Sequence, residues 1–331
     1  MMLQFIVPYY GQAERAMGCL STLFKQKDTS GFGIILVNDN ANSEAYREDT
    51  LKIRQFLEMS KNLSPVPVVY LENNVNVGPG QSRNIGLEHA TADYVSFVDS
   101  DDYLNENFVS VFKEELVKDN SFDIFVGSTL AVKGDKDYQV MPPEIITWIH
   151  SRVYRLDFLK DNGVCFPDIR FNEDSGFNAI AYDITDKVVY YKGNVAMYYW
   201  MQNNPESLTA LSNSKPYGYA IATYLESVIF AYDRILKNHD ADELNRFPAQ
   251  ILQTYLFYCE LLYRGEEVSE VEKQLQIFFD LIHFTRWYQS QKIKDKIARC
   301  VTMQNILGPV IPEITFSSFV KKFEKDELNF R

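Results

Sequence analysis

The chain has 331 residues, 46% of them hydrophobic and 14% aromatic, which allows two well-packed domains and excludes a disordered tail protein. Its formal net charge of −12 argues against binding nucleic acid, whose phosphates would repel it, and against anionic lipid surfaces.

In chain order, strand-like apolar runs at 3–7, 33–37, 66–71, 94–98 and 122–126 alternate with helical spacing at 13–26, 44–59, 80–90 and 107–117. Repeated βα units imply an α/β fold, a Rossmann-like, mostly parallel sheet flanked by helices. From about Gly127 the alternation weakens into shorter strand-like pieces at 147–154, 187–191 and 196–200. After Pro216 it becomes helical, at 219–236, 248–263 and 268–291. Two domains are expected, 1–214 and a helical appendage at 215–331. The aromatics of the appendage (Tyr255, Phe257, Tyr258, Phe278, Phe279, Phe284, Trp287) read as core or as the interface of a homo-oligomer. The locally basic stretch 292–299 is interrupted by Asp295 and reads as a solvated helix face.

The most informative motif is Asp99-Ser100-Asp101-Asp102, which closes the run 94–98. The carboxyl edge of an open α/β sheet is where ligands bind. Carboxylates crowded there repel one another, and a divalent cation would offset their charge. Oxygen ligands favour Mg²⁺ or Mn²⁺, which commonly bridge carboxylates to substrate phosphates. A solvated acidic turn is the plainer alternative.

Asp39 follows the second strand, where it can accept a hydrogen bond from a nucleobase N–H or close an Asx-turn. Gly78-Pro79-Gly80-Gln81-Ser82-Arg83-Asn84 follows the third strand and opens a helix. Its glycines let backbone approach a ligand, and helix N-termini favour anions. Arg83 is placed to pair with a diphosphate or to lie solvated on the helix. A nicotinamide-binding fingerprint would need glycine where Arg83 stands. A haloacid-dehalogenase-like motif would need Thr or Val where Tyr103 stands. Farther on, Glu173 and Asp174 precede the helical segment 175–182, where acids suit the helix dipole or supply a general base.

Cys19, Cys165, Cys259 and Cys300 lack metal-ligand spacing and read as reduced thiols. The N-terminus starts on a strand-like segment rather than a signal peptide, and no apolar run reaches the roughly 18–20 residues that span a bilayer. The expectation is a soluble cytoplasmic protein, or one peripheral to the inner face of a membrane.

Taken in order, the stretches 5–10, 35–39, 76–87, 94–102, 149–159 and 172–174 resemble the inverting nucleotide-sugar glycosyltransferases of family 2, which have the GT-A fold. The resemblance covers about residues 1–209. It implies that Pro8 and Tyr10 line the base pocket and that Asp39 reads a uracil edge. It places Gly78 and Arg83 near the nucleotide, Asp99 and Ser100 near its ribose, and Asp101 on the metal. Asp174 is implied as catalytic base, supported by Glu173, with Tyr198, Tyr199, Trp200 and the 204–207 loop on the acceptor side.

The implied partners are a nucleotide-sugar donor of UDP type and a glycan, teichoic-acid-type or lipid-linked acceptor. Gly11 replaces the Asn usual after the first motif, Asn40-Ala41 replaces Gly-Ser, and Met201-Gln202 replaces a basic residue. A sugar nucleotidyltransferase would carry a Gly-rich basic loop after the first strand, where Pro8-Tyr9-Tyr10-Gly11 stands instead. A catalytically inactive scaffold of a surface-glycan assembly system is the alternative from a different class.

Overall fold

The computed structural model describes residues 1–39, 41–134, 137–240, 243–244, 246–282, 291, 293–299 and 315–323, with backbone alone at 209, 212 and 213. Asn40, Phe284, Trp287, Lys292 and Cys300, named above, lie outside the described residues. Two contact units emerge: Met1–Arg170 with Thr185–Glu206, and Phe171–Ile184 with Ser207–Arg331.

In the first unit, β1 (Leu3–Tyr9) and β2 (Phe32–Asn38) are buried along their whole length. That burial is what a parallel sheet covered on both faces demands of its central strands. β1 pairs in parallel with β2 and with β4 (Tyr94–Phe97), and β2 with β3 (Val68–Glu72). The helices α1 (Ala13–Phe24), α2 (Arg47–Ser60), α3 (Pro79–His89) and α4 (Phe108–Lys118) alternate with these strands. After β5 (Tyr103–Leu104) come β6 (Ile124–Val126), β7 (Thr129–Gly134), β8 (Asp137–Met141) and β9 (Arg152–Arg155), then α5 (Leu156–Asp161). β10 (Val188–Tyr190) and β11 (Tyr198–Met201) complete the strands.

The main sheet has seven strands in the order β10-β6-β9-β4-β1-β2-β3. β9 alone among them runs antiparallel to its neighbours, β4 and β6. The fold is therefore the expected α/β one with a mostly parallel sheet. A second sheet of four strands, β5-β11-β7-β8, was not expected. Its β7–β8 hairpin is antiparallel and β8 is largely exposed, so β8 carries no continuous apolar run.

The first unit's core joins aromatic rings to aliphatic side chains. Phe5 meets Phe32 and Phe108 edge-on at 5.7 and 5.3 Å, and Tyr94 meets Phe112 at 5.4 Å. Edge-to-face contacts of this kind add to the stabilisation from apolar burial.

The second unit contains α6 (Glu173–Asp183), α7 (Leu208–Asn213), α8 (Tyr217–Ile235), α9 (Phe247–Arg264), α10 (Ser269–Leu281) and α11 (Phe316–Phe323). The helical character expected of the C-terminal region is present. The contact division falls elsewhere than 214/215, because α6 is buried on nearly every side and packs on α8. The Asn172 amide donates to the Ala220 carbonyl and the Thr223 hydroxyl at 3.1 and 2.8 Å, and Ser227 Oγ donates to the Asn172 carbonyl at 2.6 Å. At the far end of α6, Asp183 accepts from the Tyr232 hydroxyl at 2.6 Å. Phe278, Phe279, Phe319 and Phe323 fill the core between α10 and α11. Tyr258 of α9 is buried against Phe319, and partly buried Tyr255 packs on the same ring.

Candidate active site

Parallel pairing brings the carboxyl ends of β1 to β4 to one edge of the main sheet. Val98 N–H donates to the Ile6 carbonyl at 3.0 Å, extending β4 beside β1 up to the acidic run. Asp39 N–H donates to the Tyr9 carbonyl at 2.8 Å, and Asn73 N–H to the Asn38 carbonyl at 2.8 Å. The loops that hold Tyr10, Asp39, Gly78 and Asp99 therefore leave the same edge.

Asp39 is 4% exposed, and its carboxylate organises the loop before α3. Val77 N–H donates to Oδ1 and Gly78 N–H to Oδ2, each at 2.8 Å, with the Asn73 amide at 3.3 Å from Oδ1. A carboxylate has about four acceptor positions, so one remains for a ligand. Gly78 adopts φ +87° at the N-cap of α3, a conformation that side-chain-bearing residues rarely take, and Pro79 follows at the helix start.

Tyr10 is 41% exposed and packs edge-on against Tyr46 at 4.7 Å. Gly11 has φ +63°, and a Cβ there would come within 2.6 Å of the Tyr46 ring. That crowding gives the replacement of Asn by Gly11 a physical reason. Pro8 lies within buried β1, so its side chain belongs to the strand's packing.

The acidic loop is closely bonded. The Tyr198 hydroxyl accepts from Asp99 N–H at 3.2 Å and donates to Asp102 Oδ2 at 2.6 Å. Met201 N–H donates to Asp102 Oδ1 at 2.7 Å. Tyr198 is 1% exposed, so instead of facing an acceptor it lies beneath the carboxylates, where its ring can pack while its hydroxyl finds partners.

Arg83 is also buried, stacked over Phe166, and donates to Asp99 Oδ1 at 2.6 Å. His150 Nε2 lies 3.4 Å from Asp99 Oδ2, and the imidazole stacks on Tyr198 at 4.9 Å. Asp101 is only partly buried, and Asn204 Nδ2 donates to its Oδ2 at 2.7 Å. The same amide reaches Gln12 Oε1 at 3.1 Å. Ser100 is partly exposed between the two aspartates.

The electrostatics divide these three carboxyls. Burial opposes ionisation of Asp99, but Arg83 and His150 outweigh it and hold the group well below the usual carboxylate range. Burial and the Asp99 charge push Asp101 up. Burial, then the charges of Asp99 and Asp101, push Asp102 well above its ordinary value.

Asp99, Asp102 and His150 each offer a ligand atom, all within 4.8 Å of one another. Two carboxylates and an imidazole, with Asp101 beside them in sequence, fit a divalent cation, which would relieve the repulsion that pushes Asp101 and Asp102 up.

Glu173 and Asp174 form the first turn of α6, with Glu173 8% exposed and Asp174 partly buried. Asn172 caps the helix with φ 62°, held in place by its contacts on α8. The two acids thus stand where the helix dipole favours negative charge.

Sequence reasoning did not single out His150, Asn73 or Ser82. Ser82 Oγ accepts from the Asn73 amide at 3.2 Å, continuing the Asp39 network. His150 follows Trp148 just before β9, and that His beside an indole was the available signal.

Among the described residues, no helix is long and apolar enough to cross a membrane. Over 212 residues the chain is 29% identical to the poly(ribitol-phosphate) beta-N-acetylglucosaminyltransferase TarS of Staphylococcus aureus, covering 58% of this chain and 35% of that protein. It is 26% identical over 224 residues to the poly(ribitol-phosphate) beta-glucosyltransferase of Bacillus spizizenii, covering 63% and 34%. The chain thus spans about a third of the length of these curated relatives.

The crystal structure of S. aureus TarS 1–349 in complex with UDP-GlcNAc superposes with a TM-score of 0.65 at 23% identity, covering 85% of this chain and 80% of that one. The mannosyltransferase PcManGT from Pyrobaculum calidifontis, in complex with GDP-Man and Mn²⁺, gives 0.52 at 13% identity, covering 91% and 80%. These likenesses establish the GT-A fold. Residues 4–177, more than half of the chain, match Glycosyl transferase family 2, so the chain belongs to that family and is a glycosyltransferase.

Proposed function

We propose that this glycosyltransferase is a metal-dependent, inverting enzyme that moves a sugar from a UDP-type donor to a hydroxyl of a glycan or teichoic-acid-type acceptor. The observation that carries the reading is the shared sheet edge. There a crowded acidic loop, Asp99 to Asp102, stands beside the Asp39–Gly78 loop. The poly(ribitol-phosphate) relatives and the UDP-GlcNAc complex of TarS support the donor and acceptor classes.

Each role follows from local chemistry. Tyr10, at the end of β1, offers an exposed ring to a base, with Pro8 stiffening the strand behind it. The open acceptor position of Asp39 takes a base N–H, and the Gly78 turn allows close backbone approach. Asp99 and Ser100 lie toward the ribose, with Arg83 fixing the Asp99 carboxylate. Asp101 would hold the cation, with Asp102 and His150 close to the same acidic loop. When bound, Mg²⁺ or Mn²⁺ neutralises charge that develops on the departing diphosphate.

Asp174 accepts the acceptor's hydroxyl proton, and Glu173 supports it. The acceptor oxygen bonds to the anomeric carbon from the face opposite the leaving diphosphate. One C–O bond forms as another breaks, and configuration inverts.

Screening nucleotide sugars with Mn²⁺ for donor hydrolysis and thermal stabilisation tests the reading. If no donor produces either, it fails. Asp174→Asn should retain donor binding and lose roughly 10²–10⁴-fold in turnover, the usual worth of a general base. Near-normal transfer by that variant would remove Asp174 from the role.

A further inference from the structure

The start of α1 is fastened to the acidic loop at two points. A Cβ on Gly18 would lie 3.2 Å from the Tyr103 ring, so that glycine lets the helix close against the residue following Asp102. At the N-cap of α1, Gln12 Oε1 accepts from the Asn204 amide at 3.1 Å, and the same amide donates to Asp101 Oδ2 at 2.7 Å. Arg15 lies three residues before Gly18 and therefore on the same helical face. Helical side chains lean toward the N-terminus, which here means toward Gln12 and the Asp101 side.

The charge of Arg15 is not consumed locally. Its neighbour Glu14 is paired with Lys52 at 2.6 Å. Among the described residues no acceptor lies within hydrogen-bond or ion-pair distance of the Arg15 guanidinium, although the group is partly buried. It is near enough for its field to favour ionisation of Asp101. Arg83, the other arginine near these acids, already donates to Asp99. A planar guanidinium with unused donors, close to a carboxylate but not joined to it, matches the paired oxygens of a phosphate.

From this geometry we infer that Arg15 binds the diphosphate of the donor, and later of the departing product, beside Asp101. The inference rests on the glycosyltransferase reading of this site and adds a residue that the sequence motifs did not mark.

Wild type, Arg15→Ala and Arg15→Lys would be titrated with UDP, GDP and dTDP in Mn²⁺ by calorimetry. The nucleoside of the best-bound diphosphate would be measured by ligand-observed NMR. Arg15→Ala should weaken the diphosphate by roughly tenfold, the scale of one charge-assisted contact, and leave the nucleoside unchanged. Arg15→Lys should fall between, keeping the charge but losing the fork. Unchanged diphosphate affinity in Arg15→Ala overturns the inference, as does equal weakening of diphosphate and nucleoside. If wild type binds none of the three diphosphates, the donor reading itself fails and Arg15 loses its role with it.

Discussion

Asp39 and Asp102 end neighbouring regions of the same sheet edge, and both are almost completely buried, at 4% and 1% exposure. Both accept backbone N–H groups, yet their surroundings differ. Asp39 is paired with amides from one loop, while Asp102 shares its space with Asp99 and Asp101. The first region is electrostatically settled. The second carries more negative charge than its hydrogen bonds can balance. Burial alone therefore does not mark a cation site; uncompensated charge does.

The largest effect should come from the charged region. Asp101→Ala should abolish Mn²⁺-dependent binding of nucleoside diphosphate, and calorimetry giving wild-type affinity in Mn²⁺ would erase the contrast. Next, Asp39→Ala should destabilise the first unit by about 3 kcal/mol, because two buried N–H groups lose a charged acceptor. A lower urea midpoint would register this.

The sign should reverse at the other region. Asp101→Asn should stabilise the metal-free protein by about 1 kcal/mol, since it removes one of several like charges at an effective dielectric near 20. A lower midpoint for that variant would show that the acidic loop is as settled as the Asp39 loop. The smallest effect is expected from Asn204→Ala, a several-fold weaker Mn²⁺ affinity measured by nucleotide-free titration, because Asp101 loses the amide that orients it.

The strands that form the shared edge were legible because β1, β2 and β4 are mostly apolar runs, each followed by polar turn residues. The β7–β8 hairpin was not, because β8 is too exposed to leave an alternating pattern. The grouping of α6 with the later helices was also hidden. Its burial depends on Asn172 reaching Ala220 and Thr223, contacts that local composition does not encode.

At the site, Asp39 and the acidic run stood out by residue type and position. The partners of Asp39 lie almost forty residues onward, and the packing of His150 against Tyr198 joins segments farther apart still. Such pairings arise only when strands are brought side by side. Arg83 was expected as a cation near the nucleotide, and its grip on Asp99 was not legible from the sequence.

The bonds from Val77 and Gly78 to Asp39 have a thermodynamic consequence. They order the turn before α3 without help from a ligand, so its conformational entropy is surrendered during folding rather than at each catalytic cycle. In the proposed reading, a nucleotide would meet a rim already in shape, and more of its contact energy would be kept as affinity.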